Sequence, residues 1–169
     1  MKTLTLFLLL AIACGSPATG TTTSGAPAFA RDFQEYDSWE PFMLPGTDAD
    51  ALDGGSVHTA GPRTIFLNQR PPKGATEFPV GTMIVKQGTF TTFAMHKRGG
   101  TYNAKGAHGW EWLELQKNSA GQVVIVWQGL GPPAGEKYGD INVTCNDCHS
   151  AASSNDSVLS LQMQLRALE

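Results

Sequence analysis

The run Cys145-Asn146-Asp147-Cys148-His149 constrains this chain more than any other feature. It sets two thiols and an imidazole within little more than one helical turn, close to the C-terminus. Two cysteines at this spacing suit half of a zinc site, a redox disulfide or the covalent attachment of a haem. A zinc site needs four ligands, usually from two such pairs, and the sequence holds no second pair. A redox CxxC belongs near the start of a helix in a βαβ unit, an alternation this sequence lacks. A histidine directly after the second cysteine is what c-type haem attachment demands, because it sets an imidazole against the iron. Cys145 and Cys148 therefore read as the thioether positions of one haem c, and His149 as its axial iron ligand.

The N-terminus agrees with that chemistry. Met1 to Ala13 carries one positive charge, Lys2, ahead of an apolar run too short to span a bilayer, and reads as a secretory signal. The run Ala11-Ile12-Ala13-Cys14 resembles a bacterial lipoprotein processing site, with alanine where leucine is more usual. On that reading Cys14 is lipidated, and the multiple acyl chains give stable anchoring. Ordinary cleavage beyond Cys14, leaving a stray thiol, is the alternative. Residues 14–30 are small, polar and rich in Pro and Gly, as a flexible tether would be. The chain is thus expected to be an exported, membrane-anchored lipoprotein on the periplasmic side, with a single domain over residues 31–169. Of the three cysteines, one goes to lipid and two to haem, so no disulfide is expected. A net charge of −3 without a basic patch argues against nucleic acid as a partner.

The domain reads as mainly β, in the α+β sense. Arg63–Asn68, Thr82–Phe90, Thr91–Lys97, Gly109–Gln116 and Val123–Gln128 are rich in β-branched and aromatic residues, each bounded by Gly, Pro or Asn. They predict an antiparallel sheet of about five strands. Arg31–Trp39 suits a short N-terminal helix, and residues 98–108 a mobile hairpin loop. Asp156–Glu169 predicts a C-terminal helix, capped by Asp156, with Val158, Leu161, Leu165 and Leu168 on one face.

This layout departs from small electron-transfer cytochromes, where CxxCH lies early and a distant methionine closes the far side of the iron. Met163 has little chain with which to cross the haem, and Met83 and Met95 read as core. His58, His96 and His108 read as structural or exposed. A sheet with a late CxxCH suggests an open sixth coordination position.

At this point the sequence resembles a known family. Arg63-Thr-Ile-Phe-Leu-Asn, then Phe78-Pro-Val-Gly-Thr-Met-Ile-Val-Lys86, Met95-His-Lys-Arg, Gly109-Trp-Glu-Trp and the late CxxCH look like the cytochrome P-460 family and its relatives, the cytochromes c′-beta. The resemblance covers roughly residues 58–158. It implies a dimeric, mostly antiparallel β domain holding a five-coordinate haem. The family's enzymes oxidise hydroxylamine and carry a lysine bonded to a haem meso carbon. The c′-beta relatives lack that bond and bind nitric oxide or carbon monoxide.

Lys86 matches the cross-linking lysine. In an alternating strand it points the same way as Ile84, and a desolvated lysine has a lowered pKa and a nucleophilic amine; a lysine snorkelling to solvent is the plain alternative. Arg63 matches a distal arginine that could hydrogen-bond an iron-bound ligand, with a strand-edge salt bridge as its alternative. Phe66, Phe90 and Phe93 are candidates for an apolar pocket wall, with a plain core role as the alternative, and Trp110 and Trp112 share a sheet face and read as packing, near the haem or at a dimer contact. One departure stands out: where the family's oxidases place a carboxylate, one turn beyond the haem histidine, this chain has Ser153, a poor general base. Two functions follow. The first is a hydroxylamine or nitric oxide oxidoreductase working with Lys86, Arg63, Ser153 and His149 and passing electrons to a redox partner. The second is a nitric oxide or carbon monoxide binder without turnover.

Overall fold

The fold was obtained as a computed structural model, which describes residues 24–44, 61–133 and 144–168. The expected signal segment, Cys14 and His58 lie outside them. Six strands form one antiparallel sheet in sequence order: β1 (Glu40–Leu44), β2 (Arg63–Leu67), β3 (Met83–Gln87), β4 (Thr92–Lys97), β5 (Trp110–Lys117) and β6 (Val123–Gly129). Five match the strands read from the sequence. The additional one, β1, carries Pro41, whose missing N–H is tolerated on an edge strand but weakens the strand signal.

Because strand side chains alternate, the sheet has two distinct faces, and both are covered. One bears Ile65, Leu67, Ile84, Met95, Trp110, Trp112 and Trp127, packed against Val158, Met163, Leu165 and Leu168 of the C-terminal segment. The other bears Phe66, Val85, Ala94, Leu113 and Leu115, packed against Ala28, Phe33 and Tyr36. The expected N-terminal helix is replaced by two 3-10 turns, Ala30–Phe33 and Tyr36–Ser38.

The C-terminal helix is also different. A short α1 (Cys145–His149) continues into a 3-10 stretch, Ser150–Asn155, and beyond it stand only the 3-10 turns Leu161–Met163 and Leu165–Ala167. Asp156 and Ser157 take left-handed backbone angles, φ 49° and 65°, which no helix N-terminus can accept. The Asn155 side chain then satisfies backbone groups that a helix would have paired: its Nδ2 donates to Val158 O (2.7 Å), and its Oδ1 accepts from Leu165 N (2.8 Å). Val158, Leu165 and Leu168 are buried as expected, but Leu161 is exposed and Met163 takes its place in the core. Asp156 is not a helix cap. Its carboxylate is buried and paired with Lys97.

The end of the expected tether is fixed to the sheet. Gly25 N donates to Arg98 O (2.7 Å), and Arg98 Nε returns a bond to Gly25 O (3.0 Å). Ala28 N donates to Glu111 Oε2 (3.3 Å), and Gln128 Nε2 donates to Ala28 O (2.9 Å). Burial alone would raise the Glu111 carboxyl, but hydrogen bonds from His96, Gln128 and Ala28, with the charge of Arg98, outweigh it and hold the group below its usual range. A carboxylate depressed in the folded state adds stability above its unfolded value and loses it as pH falls through the folded value. Acidification below about pH 4.5, the ordinary range of a glutamate, should therefore free residues 24–30 first. Hydrogen exchange across a pH series should show their amides losing protection ahead of the β3–β5 core. Simultaneous loss would contradict this.

Candidate functional site

Helix α1 begins where Thr144, in an extended conformation, meets Asp147. That carboxylate accepts from Thr144 N (2.6 Å) and Oγ1 (2.9 Å), and the N–H in particular holds it below the usual range. On one turn, positions i, i+3 and i+4 share a face, so Cys145, Cys148 and His149 project together. Both cysteines are free, half-buried thiols. Burial against the Trp112 side of the sheet pushes the Cys145 thiol up to about 11, although the nearby charge of Lys86 pulls the other way.

Asn146, inside the motif, fastens α1 to the sheet. Its Oδ1 accepts from Asn103 Nδ2 (2.7 Å), Ala107 N (3.1 Å) and Trp112 Nε1 (3.0 Å), while its Nδ2 donates to Leu130 O (2.9 Å). The loop expected to be mobile, residues 98–108, thus gives two of its groups to the motif. Gly106 is required there, since a Cβ would collide with the Asn146 amide.

The His149 ring lies against Trp112, with centroids 4.6 Å apart, and its Nδ1 is 2.8 Å from Ser157 O. A carbonyl only accepts, so Nδ1 carries the hydrogen and the neutral ring has its lone pair on Nε2. That is the orientation and tautomer which outer hydrogen bonds give to metal-ligating histidines.

The strand register explains what else faces α1. Phe42, Ile65, Lys86, Phe93, Glu114 and Trp127 stand side by side across all six strands, on the same face as Trp112. Lys86 is half-buried. Arg63, two residues before Ile65 on β2, shares this face and is only 3% exposed, so it is not a surface arginine. Of the three phenylalanines expected as a pocket wall, Phe93 lies here, whereas Phe66 packs on Tyr36 across the sheet and Phe90 is exposed in a turn. Met95 is in the core of this face, while Met83 packs on the other. His96 is buried against Glu111 (3.2 Å), and His108 is exposed. Ser153 is exposed in the 3-10 stretch after α1.

No family model, curated protein or solved structure matches this chain. The likeness to the cytochrome P-460 family accordingly rests on the motifs in the sequence. Two thiols on one turn offer two sulfurs for thioether bonds, and an imidazole with Nδ1 already committed offers Nε2 to a metal. This donor set fits a covalently held haem. It suits a zinc ion less well, since among the described residues no third and fourth His, Cys, Asp or Glu ligand gathers with this motif to complete a site.

Sequence reasoning placed Trp112 as packing near the haem motif but missed three contributors: Asn146 as a fastener, Ser157 as the carbonyl that orients His149, and Glu114. The Glu114 carboxylate accepts from Trp127 Nε1 (2.8 Å) and lies two strands from Lys86. The alternation Trp110, Trp112, Glu114 is visible in the sequence, but its registration against Lys86 is not.

Proposed function

We propose that this chain is an exported, lipid-tethered c-type monohaem protein of the cytochrome P-460 kind, handling small nitrogen ligands such as hydroxylamine or nitric oxide. The observation that carries the reading is the His149 Nδ1–H bond to Ser157 O, on the same turn as the two cysteines. Cys145 and Cys148 would hold the haem through thioethers, and His149 Nε2 would hold its iron. When bound, the haem supplies an iron centre that takes up a small ligand and exchanges electrons. The chain's own part is to position and to polarise. Trp112 and Ser157 fix the imidazole from two sides, and Asn146 ties the motif to the sheet. Arg63 brings a guanidinium into a largely apolar face, where its hydrogen bonds act at low dielectric and count for more than in water. Lys86 presents an amine on that face, near Cys145.

Peptide mapping of the mature protein tests the reading. A haem peptide containing Cys145 and Cys148 should also carry the Lys86 peptide, and Lys86→Ala should keep covalent haem while shifting its Soret band. A wild-type haem peptide bearing only two thioethers favours the second reading, a nitric oxide or carbon monoxide binder without turnover. One observation already leans that way: an exposed serine, Ser153, stands where an oxidase would have its proton acceptor.

A further inference from the structure

We infer that the buried Lys97–Asp156 ion pair is a positioning device for His149, holding the left-handed Asp156–Ser157 turn whose carbonyl receives the imidazole Nδ1–H. The inference rests on the proposed haem reading for its consequence and on geometry for its substance. Lys97 ends β4 on the Trp110 side of the sheet, 2% exposed, with its Nζ 2.5 Å from Asp156 Oδ1 and 3.2 Å from His108 O. Gly109 makes room for it: at φ 82°, a Cβ there would lie 3.1 Å from Lys97 Nζ. The second carboxylate oxygen accepts from Phe78 N (2.8 Å), and the Asp156 carbonyl accepts from Trp110 Nε1 (2.7 Å). Ser157 N donates to Ala152 O (2.9 Å), closing the turn. Asp156 is thus gripped through both carboxylate oxygens and its carbonyl, and Ser157, the next residue, has its own carbonyl 2.8 Å from His149 Nδ1.

Two consecutive non-glycine residues at positive φ are costly and persist only where their surroundings over-determine them. A buried ion pair is a poor source of net stability beside an apolar replacement of equal volume. Here its position gives it another consequence. The strength of the bond from Nδ1–H to a carbonyl sets how basic the opposite nitrogen is, and so tunes a metal bound there. Lys97 and Asp156 act through Ser157 on His149 and touch no ligand themselves.

The test uses the haem-loaded protein and Lys97→Met/Asp156→Asn, which removes both charges with little change in volume. Covalent haem should remain, but the ferrous iron–histidine stretching band should move to lower frequency and broaden, and the reduction potential should rise. Glu111→Gln, which disturbs a buried pair on the opposite face, should lower stability and leave both readouts in place. If the double variant does not fold, Lys97→Gln/Asp156→Asn, a neutral pair that keeps an acceptor for Phe78 and leaves no buried charge unpaired, should shift both readouts the same way. Unchanged band and potential in a folded, haem-bearing variant overturn the inference. If the wild type carries no covalent haem, the haem reading itself fails. The clamp is then decided by imidazole nitrogen correlations in the NMR spectrum of the haem-free protein. A His149 Nδ1–H tautomer fixed in the wild type and averaged in the variant supports it, and one fixed in both overturns it.

Discussion

Haem staining of denatured protein should vanish when Cys145 and Cys148 are both replaced by alanine. Thioether bonds survive denaturation and coordination by one imidazole does not, so the expected effect is complete loss of the stain. Either single replacement should retain it in reduced amount, since the other sulfur still holds the ring. The two thiols are unpaired and half-buried on one turn, so nothing in their geometry opposes bonding to a common ring. A thiol count adds an independent check: wild-type protein that is denatured and treated with a disulfide reductant should not react with an alkylating reagent at either position. Staining that persists in the double variant would remove the haem reading, and free alkylation of the wild type would revive the redox-disulfide and zinc alternatives.

Asn146→Ala should cost about 3–5 kcal/mol of folding stability, read as a shifted denaturant midpoint with little change in slope. The amide oxygen accepts from three donors, of which Trp112 Nε1 and Ala107 N belong to buried residues. Each donor left unsatisfied costs about 1–3 kcal/mol, and the terms are not fully additive because the loop can relax. The Leu130 carbonyl loses its donor as well. Gly106→Ala attacks the same contact from the other side by driving a methyl group into the amide. The two changes together should cost less than their sum, because both release the same loop. A loss below about 1 kcal/mol for Asn146→Ala would mean that water replaces the side chain there.

Much of the β architecture was legible because the strands announce themselves. Val123–Gly129 and Trp110–Lys117 concentrate β-branched and aromatic residues between turn formers, and their bounds agree with the sequence reading to about a residue. The shared face of Trp110 and Trp112 followed from alternation alone, as did that of Ile84 and Lys86. Registration between strands did not follow, and so the alignment of Lys86 with Phe93 and Glu114 had to be seen. The C-terminal segment misled for a different reason. Its apolar residues fall at helical spacing, but burial of Val158, Leu165 and Leu168 is achieved through turns. The competing term is the Asn155 side chain, whose bonds to backbone replace helical ones, together with the left-handed Asp156 and Ser157. Asp156 itself looked like a cap because aspartate commonly is one. Its true partner, Lys97, is remote in sequence, and no local pattern could reveal it.

The docking of Gly25 and Ala28 bears on how a lipid-anchored form would meet a bilayer. If Cys14 carries the lipid, the first bond between the anchored chain and the sheet is at Gly25, ahead of the expected domain start at residue 31. Those eleven steps of chain reach at most about 40 Å when fully extended. The leash also leaves from the Phe33–Tyr36 side of the sheet, whereas α1 and Lys86 belong to the other side. Tension from the membrane would be carried by the Arg98 and Glu111 bonds at the back of the sheet. The pull would thus act on the face of the sheet opposite the one against which Cys145 packs, and would not load the bonds that hold α1.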